Sequence, residues 1–183
     1  DRCLENFDLV FVIDYGHGFI TENIVRYLSE FHKRLAVNTQ TNSANKGFNL
    51  ISKYPRVNYV CLDHFEMKLA MQDKLSASEH LAKKLMEQLQ SSVVAVTLGH
   101  FGSIIVSGDG LYRIPVFSKK VIDTVGAGDA FFSITALCVA AGLPLDLTGF
   151  IGNMTGALVT TYLGNQKSVD RTMLFNLMSS LLG

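Results

Sequence analysis

Apolar and polar positions fall in alternating blocks along the chain. The first block, Leu9-Val10-Phe11-Val12-Ile13, is apolar throughout and rich in β-branched residues. A run without polar alternation predicts a strand buried on both faces, over residues 9–13. It ends in a glycine-rich loop, Asp14-Tyr15-Gly16-His17-Gly18. Thr21 stands where an N-cap belongs, ahead of a helix predicted over residues 22–33 with Ile24, Tyr27, Leu28 and Phe31 on one face. A second strand is predicted over residues 35–39, then a polar loop over 40–49 and a third strand over 57–62. Ser76 and Glu79 have the spacing of a capping box, and the helix it opens carries Leu81, Leu85 and Leu89 on one stripe. A fourth strand is predicted over residues 93–98. Strands alternating with helices predict a parallel sheet with right-handed crossovers.

The pattern then changes. Residues 103–107, a Gly108-Asp109-Gly110 turn and residues 111–117 predict an antiparallel hairpin at a sheet edge. From Val121 onward the only charges are Asp123, Asp129, Asp146, Lys167, Asp170 and Arg171. Such sparse charge predicts helices packed deep against the sheet, the last with Met173, Leu174, Leu177, Met178 and Leu181 on its apolar face. The chain opens almost directly on a buried strand, so it is expected to be the C-terminal part of one longer domain, spanning residues 1–183. The fold expected is three-layer α/β/α with a mostly parallel sheet and an antiparallel edge hairpin.

Composition narrows the function classes. The 183 residues carry 16 Lys plus Arg and 16 Asp plus Glu, a formal net charge of +0, which gives no electrostatic footprint for nucleic acid. With 48% hydrophobic and 17% charged residues, the chain is not a disordered one. Its most apolar stretch, residues 130–143, is interrupted by Ser133 and Thr135 and is shorter than the roughly 20 residues needed to span a bilayer. Cys3, Cys61 and Cys138 are widely spaced, which predicts reduced thiols in a cytoplasmic protein, with Cys138 as core packing. His17, His32, His64, His80 and His100 form no metal-ligand spacing, which disfavours zinc; only His17 falls in a candidate site loop.

The stretch that bears chemistry is Asp123-Thr124-Val125-Gly126-Ala127-Gly128-Asp129-Ala130-Phe131-Phe132. Small residues precede an apolar helix, and an acid sits in its first turn. Free N–H groups at a helix start attract anions, and glycines let a ligand approach the backbone. A phosphoryl group could sit over Gly126, Ala127 and Gly128, with Asp129 beside it to accept a proton from an attacking hydroxyl. Local chemistry alone leaves a second reading open, in which Asp129 only complements the helix dipole and the glycines only make a tight turn. Asp14 and Asn38 stand just after strand ends, where open α/β sheets bind ligands, and are candidates for the substrate side; turn capping is their alternative.

This ten-residue stretch closely resembles the C-terminal signature of the ribokinase-like (PfkB) carbohydrate kinases. Val96-Thr97-Leu98-Gly99-His100-Phe101-Gly102 resembles that family's nucleotide-side strand and turn, Gly152-Asn153-Met154-Thr155-Gly156-Ala157 its helix beside the adenine, and Gly164-Asn165-Gln166-Lys167-Ser168 its closing loop. A narrower similarity links Asp14-Tyr15-Gly16-His17-Gly18 to the Asp-Tyr-Gly-Lys-Gly stretch of the heptose-phosphate kinases, the kinase half of ADP-heptose synthases. His17 replaces the lysine, and Asn38-Thr39-Gln40 stands in place of Asp-Pro-Lys, so two positive charges are absent and a phosphorylated heptose is in doubt. Asp63-His64-Phe65-Glu66 is similar to the family's Asn-x-x-Glu, with Asp63 for asparagine.

The resemblance implies transfer of the ATP γ-phosphate to a sugar or sugar-phosphate hydroxyl. It implies Asp129 as general base and Gly126, Ala127 and Gly128 as an anion hole. Thr97, Gly99, Gly102, Asn153 and Ala157 would line the nucleotide site. Glu66 would order Mg²⁺ through water, and Asp123 and Ser168 would serve a monovalent cation such as K⁺, with carbonyls of Val125, Val159 and Gly164. It further implies sugar-pocket strands and a β-lid upstream of this chain, and it leaves open a homodimer made through that lid and a nucleotidyltransferase domain fused in the parent. Without the lid this chain alone is expected to turn over poorly. Two alternatives stay open: a kinase for a nucleoside or vitamin-type alcohol, and a non-catalytic nucleotide-binding or assembly module.

Overall fold

The computed structural model describes residues 4–31, 34–117, 121–164 and 166–182. The expectations for Cys3, His32, Lys33 and Asn165, and for the side chain of Phe31, lie outside the described residues. Six strands run in the order β1 (Val10–Asp14), β2 (Leu35–Thr39), β3 (Tyr59–Asp63), β4 (Val93–Thr97), β5 (Ser103–Ser107) and β6 (Gly110–Ile114) across one sheet. The first four are parallel, and β4, β5 and β6 are antiparallel. β2 is buried at every position, its polar end residues Asn38 and Thr39 included.

Helices cover both faces. On one side α1 (Glu22–Phe31), α2 (His64–Ala70) and α3 (Ser78–Gln88) pack Val25, Leu28, Met67, Leu81 and Leu85 against Val12, Val37, Val60 and Val96. On the other, α4 (Ala127–Ala140) and α5 (Leu145–Val159) cover Ala36, Tyr59, Cys61, Ala95 and Ile105. The three-layer architecture is thus the one expected. Phe132 seats α4 on the sheet, its ring 6.1 Å from Phe11 and 6.0 Å from Tyr59, and the Tyr59 hydroxyl and Thr135 Oγ1 are 2.7 Å apart. Gly152 lets α5 lie close against α4, because a Cβ there would stand 2.6 Å from the Phe131 ring and the Thr135 methyl.

Several local expectations are corrected. The third strand starts at Tyr59 rather than Val57, because the Asn58 side chain accepts the Leu35 amide and opens the ladder there. The last strand stops at Ile114 because Pro115 has no N–H to continue it. Ser76 and Glu79 form no capping box: Asp73 accepts the amides of Leu75 and Ser76, α3 starts at Ser78, and Glu79 pairs instead with Arg113 at 2.8 Å. The capping box belongs to Asp63 and Glu66, at the start of a helix the periodicity did not predict. Finally, α6 (Arg171–Leu182) lies against α5, not the sheet, and its predicted apolar face is only partly covered.

Candidate active site

The parallel strands β1 to β4 all end on one side, and the loops that follow β1 and β2 meet the start of α4. Gly126, at φ +79°, turns the chain into that helix. A left-handed residue there lets the segment from 123 reverse direction, which is what a glycine allows without strain. The Ala127 amide donates to the Thr124 carbonyl at 3.2 Å. The amides of Gly128 and Asp129 are among those that a helix start leaves without an intrahelical acceptor. A Cβ built on Gly128 would meet nothing within 4 Å, so the space over this first turn is open.

Asp129 is half-buried and faces the loops after β1 and β2, not the apolar interior. Its Oδ2 accepts the Tyr15 hydroxyl at 2.8 Å, and its Oδ1 accepts Gln40 Nε2 at 2.5 Å. Neither partner was assigned a role by the sequence. The loop carrying Tyr15 was visible as a glycine-rich strand exit, but nothing in spacing announces a contact across 114 residues.

Glu66 sits at the third position of α2, one Oε accepting the Thr41 amide at 2.9 Å and the other the Asp63 amide at 3.0 Å. Burial pushes its carboxyl up to about 7, opposed by the Asp63 and Thr41 amides and reinforced by the charges of Asp63 and Asp129. Each oxygen keeps a lone pair after its amide bond, so the group fits a role as partner to a hydrated divalent ion.

Asp14, a candidate for the substrate side, is built into the framework of the first strand exit. It is 2% exposed, and its carboxylate takes Lys53 Nζ at 2.5 Å, the Tyr54 hydroxyl at 2.7 Å, the Gly16 amide at 3.0 Å and Asn49 Nδ2 at 3.4 Å. Burial would raise its pKa, but donation by Lys53, Tyr54 and Gly16 outweighs burial and holds the carboxyl below its usual value. Asn38 is 6% exposed and donates to the Cys61 carbonyl at 2.9 Å, while its Oδ1 has no partner among the described residues.

The nucleotide-side expectations divide. Thr97 ends β4 beside Asp63, and Gly99 lines a cavity of about 760 Å³ together with His64, Phe101, Arg113 and Pro115. Gly102 is a backbone necessity, since a Cβ there would fall 2.1 Å from the Ile114 carbonyl oxygen. Asn153 and Ala157, the remaining nucleotide-side candidates, are both buried, and the Asn153 amide holds the exit of β6 by donating to the carbonyls of Ile114 at 3.0 Å and Pro115 at 2.9 Å.

Asp123 joins two loops. Its Oδ1 accepts the Val125 amide at 3.0 Å and its Oδ2 the Gly164 amide at 2.8 Å; these donors hold its pKa below the usual value. Ser168 is exposed and borders, with Gly126 and Gly164, a groove of about 670 Å³ between α4, α5 and α6. Among the described residues no group of three or more His, Cys, Asp or Glu is placed to hold a metal ion. No described helix is long and apolar enough to cross a membrane. Cys61 and Cys138 are free and buried, and burial raises both thiol pKa values.

A mostly parallel sheet between helical layers, with an open helix start and an acid in its first turn at the strand exits, defines a ribokinase-like α/β protein. The sequence profile of the pfkB family carbohydrate kinases matches residues 23–172, and the chain belongs to that family. It is 26% identical over 180 residues to the bifunctional protein HldE of Campylobacter jejuni, an alignment covering 96% of this chain and 38% of that protein. It is 28% identical over 172 residues to HldE of Desulfatibacillum aliphaticivorans, covering 91% and 34%. The chain thus spans little more than a third of these relatives' length. In fold it is similar to a nucleoside kinase from Burkholderia thailandensis in complex with ADP-inosine (TM-score 0.77, 20% identity, 96% of this chain and 54% of that one). It is also similar to ribokinase from Thermotoga maritima (TM-score 0.75, 19% identity, 92% and 56%).

Proposed function

We propose that this chain carries the phosphoryl-transfer centre of an ATP-dependent kinase acting on a sugar or sugar-phosphate hydroxyl. The observation that carries the reading is the position of Asp129: half-buried, facing the strand-exit loops, in the first turn of a helix whose start is open to an anion. ATP is the phosphoryl donor, and Mg²⁺ when bound offsets charge on its phosphates. Asp129 accepts the proton of the acceptor hydroxyl as that oxygen bonds to the γ-phosphorus and the bond to ADP breaks. The open amides of Gly128 and Asp129, with the helix dipole behind them, stabilise charge on the phosphoryl oxygens. Gly126 contributes the turn, and the Ala127 amide contributes less, being engaged with Thr124. Glu66 is the partner for the hydrated divalent ion, and the cavity beside Gly99 offers room for the nucleoside end of ATP.

Lys53, a cation near this end of the sheet, is committed to Asp14. With His17 and Gln40 at the two positions that are lysine in the heptose-phosphate kinases, the sugar hydroxyl is the firmer half of the acceptor and its phosphate the weaker. The test is ADP release by the full-length protein with D-ribose, fructose 6-phosphate, a heptose 7-phosphate and inosine. One sugar acceptor is expected to turn over, and Asp129→Asn to lower that turnover by about 10²-fold or more. A wild-type rate in that variant removes the base assignment. ATP binding without turnover on any acceptor favours a non-catalytic nucleotide-binding module, and turnover on inosine alone a nucleoside kinase.

A further inference from the structure

The carboxylate of Asp129 is held from two sides, and the two contacts differ. Gln40, the first residue beyond β2, donates to Oδ1 through a part-buried hydrogen bond. Tyr15, the first residue beyond β1, donates to Oδ2 through an exposed one, and the residue is 41% exposed. Both loops are themselves tied down. Asn42 and Asn45 donate to the Tyr15 carbonyl at 2.7 and 3.1 Å, and Asn45 and Asn49 both donate to the Gln40 carbonyl, at 2.7 and 3.4 Å. The Gln40 amide donates to the Asp14 carbonyl at 2.9 Å, which ties the two strand exits together. The two donors therefore stand on a shared, braced platform rather than on independent loops.

A carboxylate on a helix start is free to rotate about its side-chain torsions, and a base that works by geometry must not. Gln40 fixes the inner oxygen. The outer oxygen makes the exposed contact of the two, on the side open to an acceptor hydroxyl, and there a hydroxyl already sits. We propose that Gln40 and Tyr15 are positioning residues for Asp129: Gln40 locks Oδ1 throughout, while the Tyr15 phenol holds the place at Oδ2 that the acceptor hydroxyl takes on binding. This rests on Asp129 as the base. Burial, then the hydrogen bond and charge of Asp129, raise the Tyr15 phenol pKa, in keeping with a neutral donor at that oxygen. The other ionisable ring beside Tyr15 is His17, stacked at 6.2 Å.

The contact can be read without turnover. The chain has 6 tyrosines, and labelling them with carbon-13 at Cζ gives one signal each, with Tyr15→Phe identifying that of Tyr15. At neutral pH, Asp129→Ala is expected to move the Tyr15 signal toward that of a free phenol. Gln40→Ala is expected to move it as well, although Gln40 bonds Asp129 and not the phenol, because its effect travels through the carboxylate. The remaining tyrosine signals, Tyr59 against Thr135 among them, report that each variant stays folded. A Tyr15 signal unmoved by Asp129→Ala overturns the proposal, and one unmoved by Gln40→Ala overturns the part played by Gln40. With whichever of the four acceptors releases ADP, Tyr15→Phe is expected to lower the acceptor KM severalfold, since Oδ2 is then vacant. Gln40→Ala is expected to lower kcat about tenfold with little change in KM. The opposite split overturns the division of roles. A wild-type rate in Asp129→Asn would remove the base while leaving the spectroscopic linkage intact, so the two failures are distinguishable.

Discussion

At the scale of single residues, four acids near the strand exits have four different environments. Asp14 is ionised in a buried nest of donors, Asp123 bridges two loop amides, Asp129 faces the cleft, and Glu66 is pushed toward neutrality. The Glu66 shift has a consequence for stability. In the unfolded chain this carboxyl ionises near 4.5, whereas the folded chain retains its proton up to about 7. Across that window the folded state binds more protons, so its contribution is fully present below about 4.5 and is lost as pH rises through 7. In metal-free buffer the melting temperature is expected to fall between pH 5 and pH 8, and Glu66→Gln to fall less. Parallel profiles for the two proteins would contradict the assignment. Of these acids, sequence alone singled out Asp129 through its glycines. It did not show the framework partners of Asp14, because Lys53 and Tyr54 lie about 40 residues away and leave no local trace.

At the scale of elements, strand existence followed from apolar runs, and strand limits followed from polar details within them. Pro115 is a stop that the reading over residues 111–117 passed through, and Asn58 an unreadable start, since a side chain that substitutes for a ladder carbonyl has no periodic signature. The helix α2 is seven residues long, too short for a 3.6-residue period to emerge, and is defined by its capping box instead. The approach of α4 and α5 depends on Gly152. Gly152→Ala places a methyl against Phe131 and Thr135 and is expected to destabilise the fold by about 1–3 kcal/mol, measured as a lower urea midpoint with an unchanged m-value. A neutral effect would mean that the two helices separate freely. Because Phe131 and Thr135 lie on the helix that carries Asp129, that substitution also tests how rigidly the base is mounted.

At the scale of the whole molecule, the described sheet has unequal edges. β6 is followed by a proline and is covered in part by α5, whereas β1 makes one ladder among the described strands, to β2, and leaves Phe11 and the nearby Phe7 exposed. The groove between α4, α5 and α6 adds Leu137 and Phe175 to the exposed apolar surface. An open edge beside apolar side chains is a template for association. The 183-residue chain is therefore expected to bind a hydrophobic dye and to self-associate with concentration. A monomer that ignores the dye across the micromolar range would show this surface to be inert. The sparse charge after Val121 did predict burial, but it could not separate α4 and α5, which reach the sheet, from α6, which lies against α5.

By itself the sequence determined the layered α/β architecture, the parallel core with its antiparallel hairpin, and the glycine-framed acid at a helix start. Those features are set by neighbours within a few residues, where periodicity, turn chemistry and a missing Cβ act directly. Tertiary structure decided which acids are framework and which face the cleft, that Asn153 braces a strand exit, and that Tyr15 and Gln40 converge on one carboxylate. Those outcomes depend on contacts between residues 35 to 114 positions apart, which exist only once the strands have set where their loops emerge.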